Sequence, residues 1–319
     1  MSAPPVTVVI CAYTEKRWRD LAAAVASVQA QQHPAAQIVL VIDHNDALLG
    51  RCRQQLPEIS LHPNRHAPGL SGARNTAIDA ATGDVLAFLD DDATAGSGWL
   101  QRLLPHYADP DVCGVGGSAH PVWPDRRPAT LPAPPGQPHG ELDWVIGCTY
   151  HGQPEQPTDV RNLMGCNMSF RREVFTTVGG FAEHLGRIGR TPLGCEETEL
   201  CIRLRQHTPG ARIVFEPAAR VQHRVSPDRL TWRYLAARGW AEGTSKAAVS
   251  RLVGPGDALA TERNYVTTVL PRAIVRELRA GLRGPAHLAS ASAIGAALSC
   301  TSAGYVRGRI IHRPYGELP

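Results

Sequence analysis

Three consecutive carboxylates, Asp90, Asp91 and Asp92, follow the apolar run Val85-Leu86-Ala87-Phe88-Leu89. A buried strand that ends in clustered acids gathers like charges, which repel unless a cation neutralises them. A hard divalent metal with oxygen ligands suits such a place, and a metal held this way usually carries a phosphate. A solvated acidic turn would leave the same short pattern, so the triplet takes its meaning from the rest of the chain. Three further groups join it: Cys11-Ala12-Tyr13 closes one apolar run, Asp43 closes another, and Gly194-Cys195-Glu196-Glu197-Thr198-Glu199-Leu200 opens a helical pattern.

The elements that must position these residues alternate in type. Runs 6–10 and 38–42 read as buried strands, 18–31 and 47–56 as helices, and 59–62 as a short strand. Residues 70–81 read as a helix stopped by Gly83, and 85–89 as the strand beneath the acids. This β-α-β-α order calls for a mostly parallel sheet covered on both faces, with ligands at the carboxyl ends of its strands. Prolines crowd residues 120–138 and mark a long surface loop, of a kind often used as a substrate lid. Regular pattern resumes over 164–170, followed by helices from about 172 and over 196–207, and strands near 212–215 and 220–223. From Asp228 the pattern is mainly helical, with Trp232, Tyr234, Leu235 and Trp240 expected on one side of the first helix.

At 319 residues the chain can bury a full core. Its net charge of +4 is too mild to imply nucleic acid, though it suits an anionic substrate or a membrane surface. The eight cysteines contain no CxxC pair, which argues against a zinc ribbon or a disulfide framework and fits a reducing cytoplasm. Residues 1–5 lack the basic and apolar regions of a signal peptide. The weakly polar stretch 286–306 is built of Ala, Ser and Gly, too poor in large apolar side chains for a transmembrane helix, and is expected to be a packed or interfacial one.

With this order of elements, the four groups resemble the family-2 glycosyltransferases of GT-A fold over about residues 6–225. The resemblance implies an α/β fold with a Rossmann-like, mostly parallel sheet and helices on both faces. Its nucleotide-binding half would reach about residue 118, its acceptor half would span 119–225, and a C-terminal helical extension would occupy 226–319. Ala12 and Tyr13 would flank the nucleobase, and Asp43 would accept an imide N–H, which favours uracil or thymine over cytosine. The family often has Asp-Asp-Gly-Ser after its second strand, where this chain has Asp43-His44-Asn45-Asp46. Gly69-Leu70-Ser71-Gly72-Ala73-Arg74-Asn75 is similar to the family's Gly/Ser turn and helix start, from which Arg74 would reach a carboxylate or phosphate. The family's DxD pattern falls on Asp90 and Asp92. Asp90 would address the ribose or its water shell, Asp91 would belong with the donor-binding residues, and Asp92 would bind Mn²⁺ or Mg²⁺ bridging the diphosphate. Asp90 and His223 would complete the metal shell. Glu196 and Glu197 stand where the family has the Glu-Asp pair that supplies its catalytic base, with Glu197 at the place usually held by Asp. Residues 161–169 resemble the segment that lines the donor sugar, with Asn167 offering both a donor and an acceptor. Cys166 has no evident His partner and reads as a packed residue.

The expected function is therefore metal-dependent, inverting transfer of a hexose from a nucleoside-diphosphate sugar, UDP-linked by preference. The acceptor would be a hydroxyl of a small molecule, a glycan or a lipid-linked carrier. Nucleotidyl transfer also uses metal-bound acids at strand ends but asks for no base at Glu196-Glu197, and a non-catalytic binding protein would tolerate loss of acids that are all present here. Trp144, Tyr150 and the proline-rich loop would shape an acceptor cleft or pack within their own segment. Arg272, Arg276, Arg279 and Arg283 recur at spacings of three or four, so in a helix they share one face. That face is either solvated or set against anionic headgroups, which would place a cytoplasmic enzyme at the inner face of a membrane.

Overall fold

The computed structural model describes residues 3–187, 193–259 and 262–310. Its first elements are β1 (Val6–Ala12), α1 (Trp18–Gln29), β2 (Gln37–Ile42), α2 (Asp46–Gln55), β3 (Ser60–Pro63), α3 (Leu70–Ala80) and β4 (Val85–Asp90). The chain continues through β5 (Ala93–Ala95), α4 (Trp99–Leu103), β6 (Val112–Val122), β7 (Thr158–Asp159), β8 (Asn167–Arg171), α5 (Arg172–Val178), α6 (Glu196–His207) and β9 (Arg212–Arg224). Helices α7 (Trp232–Leu252), α8 (Pro255–Ala258), α9 (Glu262–Asn264), α10 (Leu270–Ala280) and α11 (Pro285–Ile310) follow.

The expected α/β fold is present. One sheet runs in the order β3-β2-β1-β4-β8-β6-β9-β5, with β7 pairing β9. β1 lies between β2 and β4 in parallel register and is buried along nearly its whole length, as a continuous apolar run requires when helices cover both faces. Its side chains alternate between two cores: Val8 and Ile10 meet the stripe Leu21, Ala24, Val25 and Val28 of α1, while Val9 lies in the cluster that holds Phe88 and Phe170. On that second face Phe88 meets Phe175 and Phe181 edge-on. Beyond β4 the pairing turns antiparallel, because β8 runs against both β4 and β6.

β6 is a strand that hydrophobic pattern does not reveal, since Gly114, Gly116 and Gly117 lower its apparent β preference. Packing explains one of them directly. A Cβ at Gly117 would sit 1.8 Å from the carbonyl oxygen of Ala219 and 2.6 Å from the Asn167 amide, so only glycine lets these backbones approach. The two short strands expected near residues 212 and 223 are one long strand, β9.

The chain divides into two compact units, Met1–Ala119, Pro154–Arg190 and Glu196–His223 in the first, and His120–Gln153, Thr191–Cys195 and Arg224–Pro319 in the second. The second unit is built on α7 and α11, the weakly polar stretch being a packed helix against α7. Small residues permit the contact: a Cβ on Gly243 would lie 1.9 Å from the Thr301 carbonyl oxygen. Among the described residues no helix is long and apolar enough to cross a membrane. The expectation of one aromatic side on α7 fails. Leu235 is buried, whereas Trp232 and Trp240 are exposed, because at 3.6 residues per turn position 240 points roughly opposite to 235, and position 234 roughly opposite to 232.

Within α7, Glu242 receives Arg238 at 2.8 Å and Lys246 at 3.1 Å, and Lys246 also reaches Glu262 at 2.5 Å. The Cys195 thiol lies 3.6 Å from Glu242, and the Gly194 N–H donates to Ser245, so this cluster also holds the segment that leads into α6. Burial works against the Glu242 charge, yet Lys246 and Arg238 bring its pKa from an ordinary 4.5 down to about 2. A carboxyl more acidic in the folded than in the unfolded chain stabilises the fold above the unfolded value and loses that contribution as pH falls toward the folded one. Stability is therefore expected to drop between about pH 4.5 and 2 by an amount that Glu242→Gln removes, at a cost of about 3 kcal/mol at neutral pH for a broken, largely buried pair. Urea unfolding of both proteins across that pH range checks this, and parallel pH profiles would refute it.

Candidate active site

Parallel register sets the site. Cys11 pairs with Asp90 across β1 and β4, and Ala12 with Ile42 across β1 and β2, so the three strands end level. Ala12 and Tyr13, Asp43 and the Asp90-Asp91-Asp92 run therefore emerge along one carboxyl edge of the sheet. Asp43 is held by two donors, the Asn64 amide at 2.7 Å on one oxygen and the Gly69 N–H at 2.9 Å on the other. Tyr13 receives a hydrogen bond from Arg17 on its hydroxyl and one from Asn45 on its carbonyl.

The acids separate into two sets. Ligand atoms of Asp90, Asp92 and His223 lie within 4.8 Å of one another, with Asp92 and His223 both buried. His223 arrives because β5, directly after the triplet, pairs with β9 so that Ala93 faces His223. Its Nε2 lies 3.2 Å from Asp92. Two carboxylates and an imidazole in such reach form a donor set that fits a divalent cation taking oxygen and nitrogen ligands. Asp91 points elsewhere: Arg17 donates to it at 2.6 Å and to Asp92 at 3.1 Å. Burial opposes the Arg17 charge, and the two aspartates more than offset that, holding the guanidinium protonated. Arg17 is the residue that sequence reading missed. It stands among Lys16 and Arg19 in a charged stretch, and nothing in its spacing marks it out.

Arg74 is buried and central. It donates to Glu196 at 2.7 Å and to the Gly165 carbonyl at 2.8 Å, and it lies 3.5 Å from Asp90. Its guanidinium sits over the rings of Phe88 and Phe181, an arrangement in which cation and ring faces attract. Burial works against its charge, while Glu196 and Asp90 raise its pKa above the usual value. Glu196 is buried against this cation, with its Oε2 left without a hydrogen-bond partner. Glu197, at the first turn of α6, is half-buried, and Thr198 donates to it at 3.3 Å.

Asn167 takes a different place from the one the resemblance implies. It is fully buried, accepting from the Trp99 indole at 2.8 Å and donating to the carbonyls of Ser118 and Ala219, each at 2.9 Å. Its polar groups are spent on tying β8, β6 and β9 together, so they do not line a sugar. Cys166 is buried as a small packed residue. In the second unit, Trp144 donates to the Tyr265 hydroxyl and Tyr150 meets the Tyr265 ring edge-on at 5.3 Å.

Residues 7–179 match the sequence profile of Glycosyl transferase family 2. The chain belongs to that family. It is 35% identical over 251 residues to a glucosyl-dolichyl phosphate glucuronosyltransferase of Haloferax volcanii, covering 77% of this chain and 78% of that one. The succinoglycan biosynthesis protein ExoM of Rhizobium meliloti is 29% identical over 242 residues, covering 73% of this chain and 71% of its own. Among solved structures, the mannosyltransferase PcManGT of Pyrobaculum calidifontis, in complex with GDP-Man and Mn²⁺, superposes with a TM-score of 0.58 at 18% identity, over 97% of this chain and 87% of that chain. GalNAc-T7 with UDP, GalNAc and Mn²⁺ gives 0.54 at 19% identity, over 77% of this chain and 50% of that chain. The fold is thus that of the GT-A enzymes, and this family-2 member is a glycosyltransferase.

One prediction concerns the apo site. Arg17→Gln leaves Asp91 and Asp92 without their nearest cation and is expected to cost on the order of 2 kcal/mol in chelator, the scale of hydrogen bonds to a buried charge. Thermal unfolding with EDTA, and again with Mn²⁺, checks it. The deficit is expected to shrink in Mn²⁺, and equal stability of variant and parent in EDTA would refute the counter-ion role.

Proposed function

We propose that this enzyme is an inverting, metal-dependent hexosyltransferase that moves a sugar from a UDP-sugar to a hydroxyl of a lipid-linked acceptor. The observation that carries the reading is the division of labour at the start of α6. Glu196 is held by Arg74, and Glu197, beside it, keeps a carboxylate in a half-buried position. Glu197 is assigned as the general base that takes the proton of the acceptor hydroxyl as its oxygen attacks the anomeric carbon. A single displacement from the face opposite the leaving group inverts the configuration. Glu196 and Arg74 are positioning residues that hold the turn of α6 beside the acids.

Asp90, Asp92 and His223 would hold Mn²⁺ or Mg²⁺, and both solved neighbours carry Mn²⁺. When bound, the cation supplies Lewis-acid stabilisation of the charge that develops on the departing diphosphate. Ala12 and Tyr13 flank the base in this reading, and Asp43 accepts its imide N–H from a carboxylate already aimed by Asn64 and Gly69. A fixed acceptor selects bases that present a donor, which supports uracil. Asp91, tied to Arg17, is assigned to the electrostatics of the donor site. The relative from Haloferax volcanii, whose name specifies a dolichyl phosphate-linked glucose, supports the acceptor class and an enzyme that works at a membrane surface.

Three measurements test this reading. Thermal shift with UDP-, dTDP- and GDP-sugars in Mn²⁺ is expected to show the largest stabilisation with a UDP-sugar, as mass action requires of the tightest ligand. Asp92→Asn is expected to keep the fold and abolish Mn²⁺-dependent UDP binding by calorimetry, since the amide keeps the shape and loses the charge. Glu197→Gln should bind donor as the parent does and lose roughly 10² to 10⁴ in turnover. Normal turnover by Glu197→Gln, or a product of retained anomeric configuration by NMR, would overturn the mechanism.

A further inference from the structure

We propose that α10 and the proline-rich segment beside it in the second unit form a docking face for an anionic phospholipid bilayer. This deepens the lipid-linked-acceptor reading by naming the surface that meets the membrane, and its test uses no acceptor.

α10 is apolar over a broad arc that the unit's own core covers only in part. Leu270 is buried and Ile274 is half-buried, but Val275 is 45% exposed and Leu278 54%. Leu282, in the turn that follows, is 99% exposed. Spacings of three and four put these three side chains on one side, so they form a ridge and not a scatter of single apolar residues.

Beside the ridge runs a line of cations. Exposed Arg272 and Arg279 lie on α10, and with Arg126 of the proline-rich segment they line an open groove of about 1310 Å³ whose other walls are largely proline and alanine. Among the described residues, none of these three arginines has an ion-pair partner. The remaining charges of the groove are mostly spent: Arg276 is clamped on buried Glu141 at 2.6 Å and on Glu277, His287 also holds Glu277, and Arg127 holds buried Asp143. Asp125 is the acid left at the rim. The four-arginine face of the sequence is therefore corrected. Arg276 is a structural residue, the Arg283 side chain lies outside the described residues, and the available cations are Arg126, Arg272 and Arg279.

An apolar ridge flanked by guanidinium groups matches the boundary between acyl chains and phosphates. Leucines reach the hydrocarbon while arginines pair with phosphate oxygens at the depth of the headgroups. Charge complementarity fixes the sign of the surface, because three unpaired arginines against one aspartate favour an anionic leaflet.

The test is co-sedimentation of the full chain with vesicles of phosphatidylcholine alone and of phosphatidylcholine mixed with phosphatidylglycerol, at low salt. Sedimentation is expected with the anionic vesicles only. Leu278→Ser combined with Leu282→Ser is expected to lower partitioning on the order of 10²-fold. Arg272→Gln with Arg279→Gln should lower it about tenfold or more. Both pairs are exposed and should leave the melting temperature unchanged. If the leucine pair unfolds, Leu282→Ser alone decides, with about a tenfold loss expected. Equal sedimentation with neutral vesicles, or full binding by either variant, would overturn the proposal. So would a dimer that the leucine pair makes monomeric with no change in vesicle binding, since the ridge would then meet a second copy. Stabilisation by UDP with Mn²⁺, measured on the same variants, separates this outcome from a failure of the donor assignment.

Discussion

Like charges brought together at the carboxyl edge of one sheet are the constraint on which this structure turns. Asp91, Asp92 and Glu196 sit there buried, beside the partly exposed Asp90, and each additional carboxylate raises the cost of the others. Two arginines make the arrangement tenable. Arg74 spans Glu196 and Asp90 from below, stacked on the phenylalanines of the core, and Arg17 covers Asp91 and Asp92 from the end of β1. Removing either would leave buried charge uncompensated, a far larger penalty than the worth of a surface ion pair.

This pairing also apportions chemistry among the acids. In the proposed mechanism Glu196, clamped by Arg74, is the positioning carboxylate and Glu197, next to it in the first turn of α6, is the base. Asp90, Asp92 and His223 form the remaining cluster, with ligand atoms within 4.8 Å of one another and His223 3.2 Å from Asp92, a donor set that fits a cation. Rigid strand ends hold these groups in place, which is the condition under which fixed charges stabilise a developing charge without first reorganising.

The second unit follows a different physical rule. Its α7–α11 contact depends on small residues and close backbones, and its charges are gathered into internal networks, Arg238–Glu242–Lys246 on one side and Glu141–Arg276–Glu277 on the other. Charges so consumed are unavailable to partners, which is why the few arginines left without an acid carry more information than the total count. The first of these networks also fixes Gly194 and Cys195, the residues from which the chain passes into α6.

Local pattern alone determined the parallel half of the sheet. The uninterrupted apolar runs of β1, β2 and β4, the period of α1 and the stop after α3 all appear in the order of residues, because burial on both faces demands apolar side chains at every position. The acids after β4 and the Glu pair opening α6 were legible for the same reason, each standing at an element boundary that could be read. Tertiary structure decided what depends on distant backbones. β6 hid behind glycines that close approach to Ala219 requires, and Asn167 was claimed by Trp99 and two carbonyls once three strands met around it. His223 joins the acids only because β5 pairs with β9, and Arg17 meets Asp91, far away in sequence, only because β1 and β4 run side by side and bring the turn after β1 to the acids. No local propensity encodes such meetings, since the energy that selects them comes from charges and surfaces far apart in the chain.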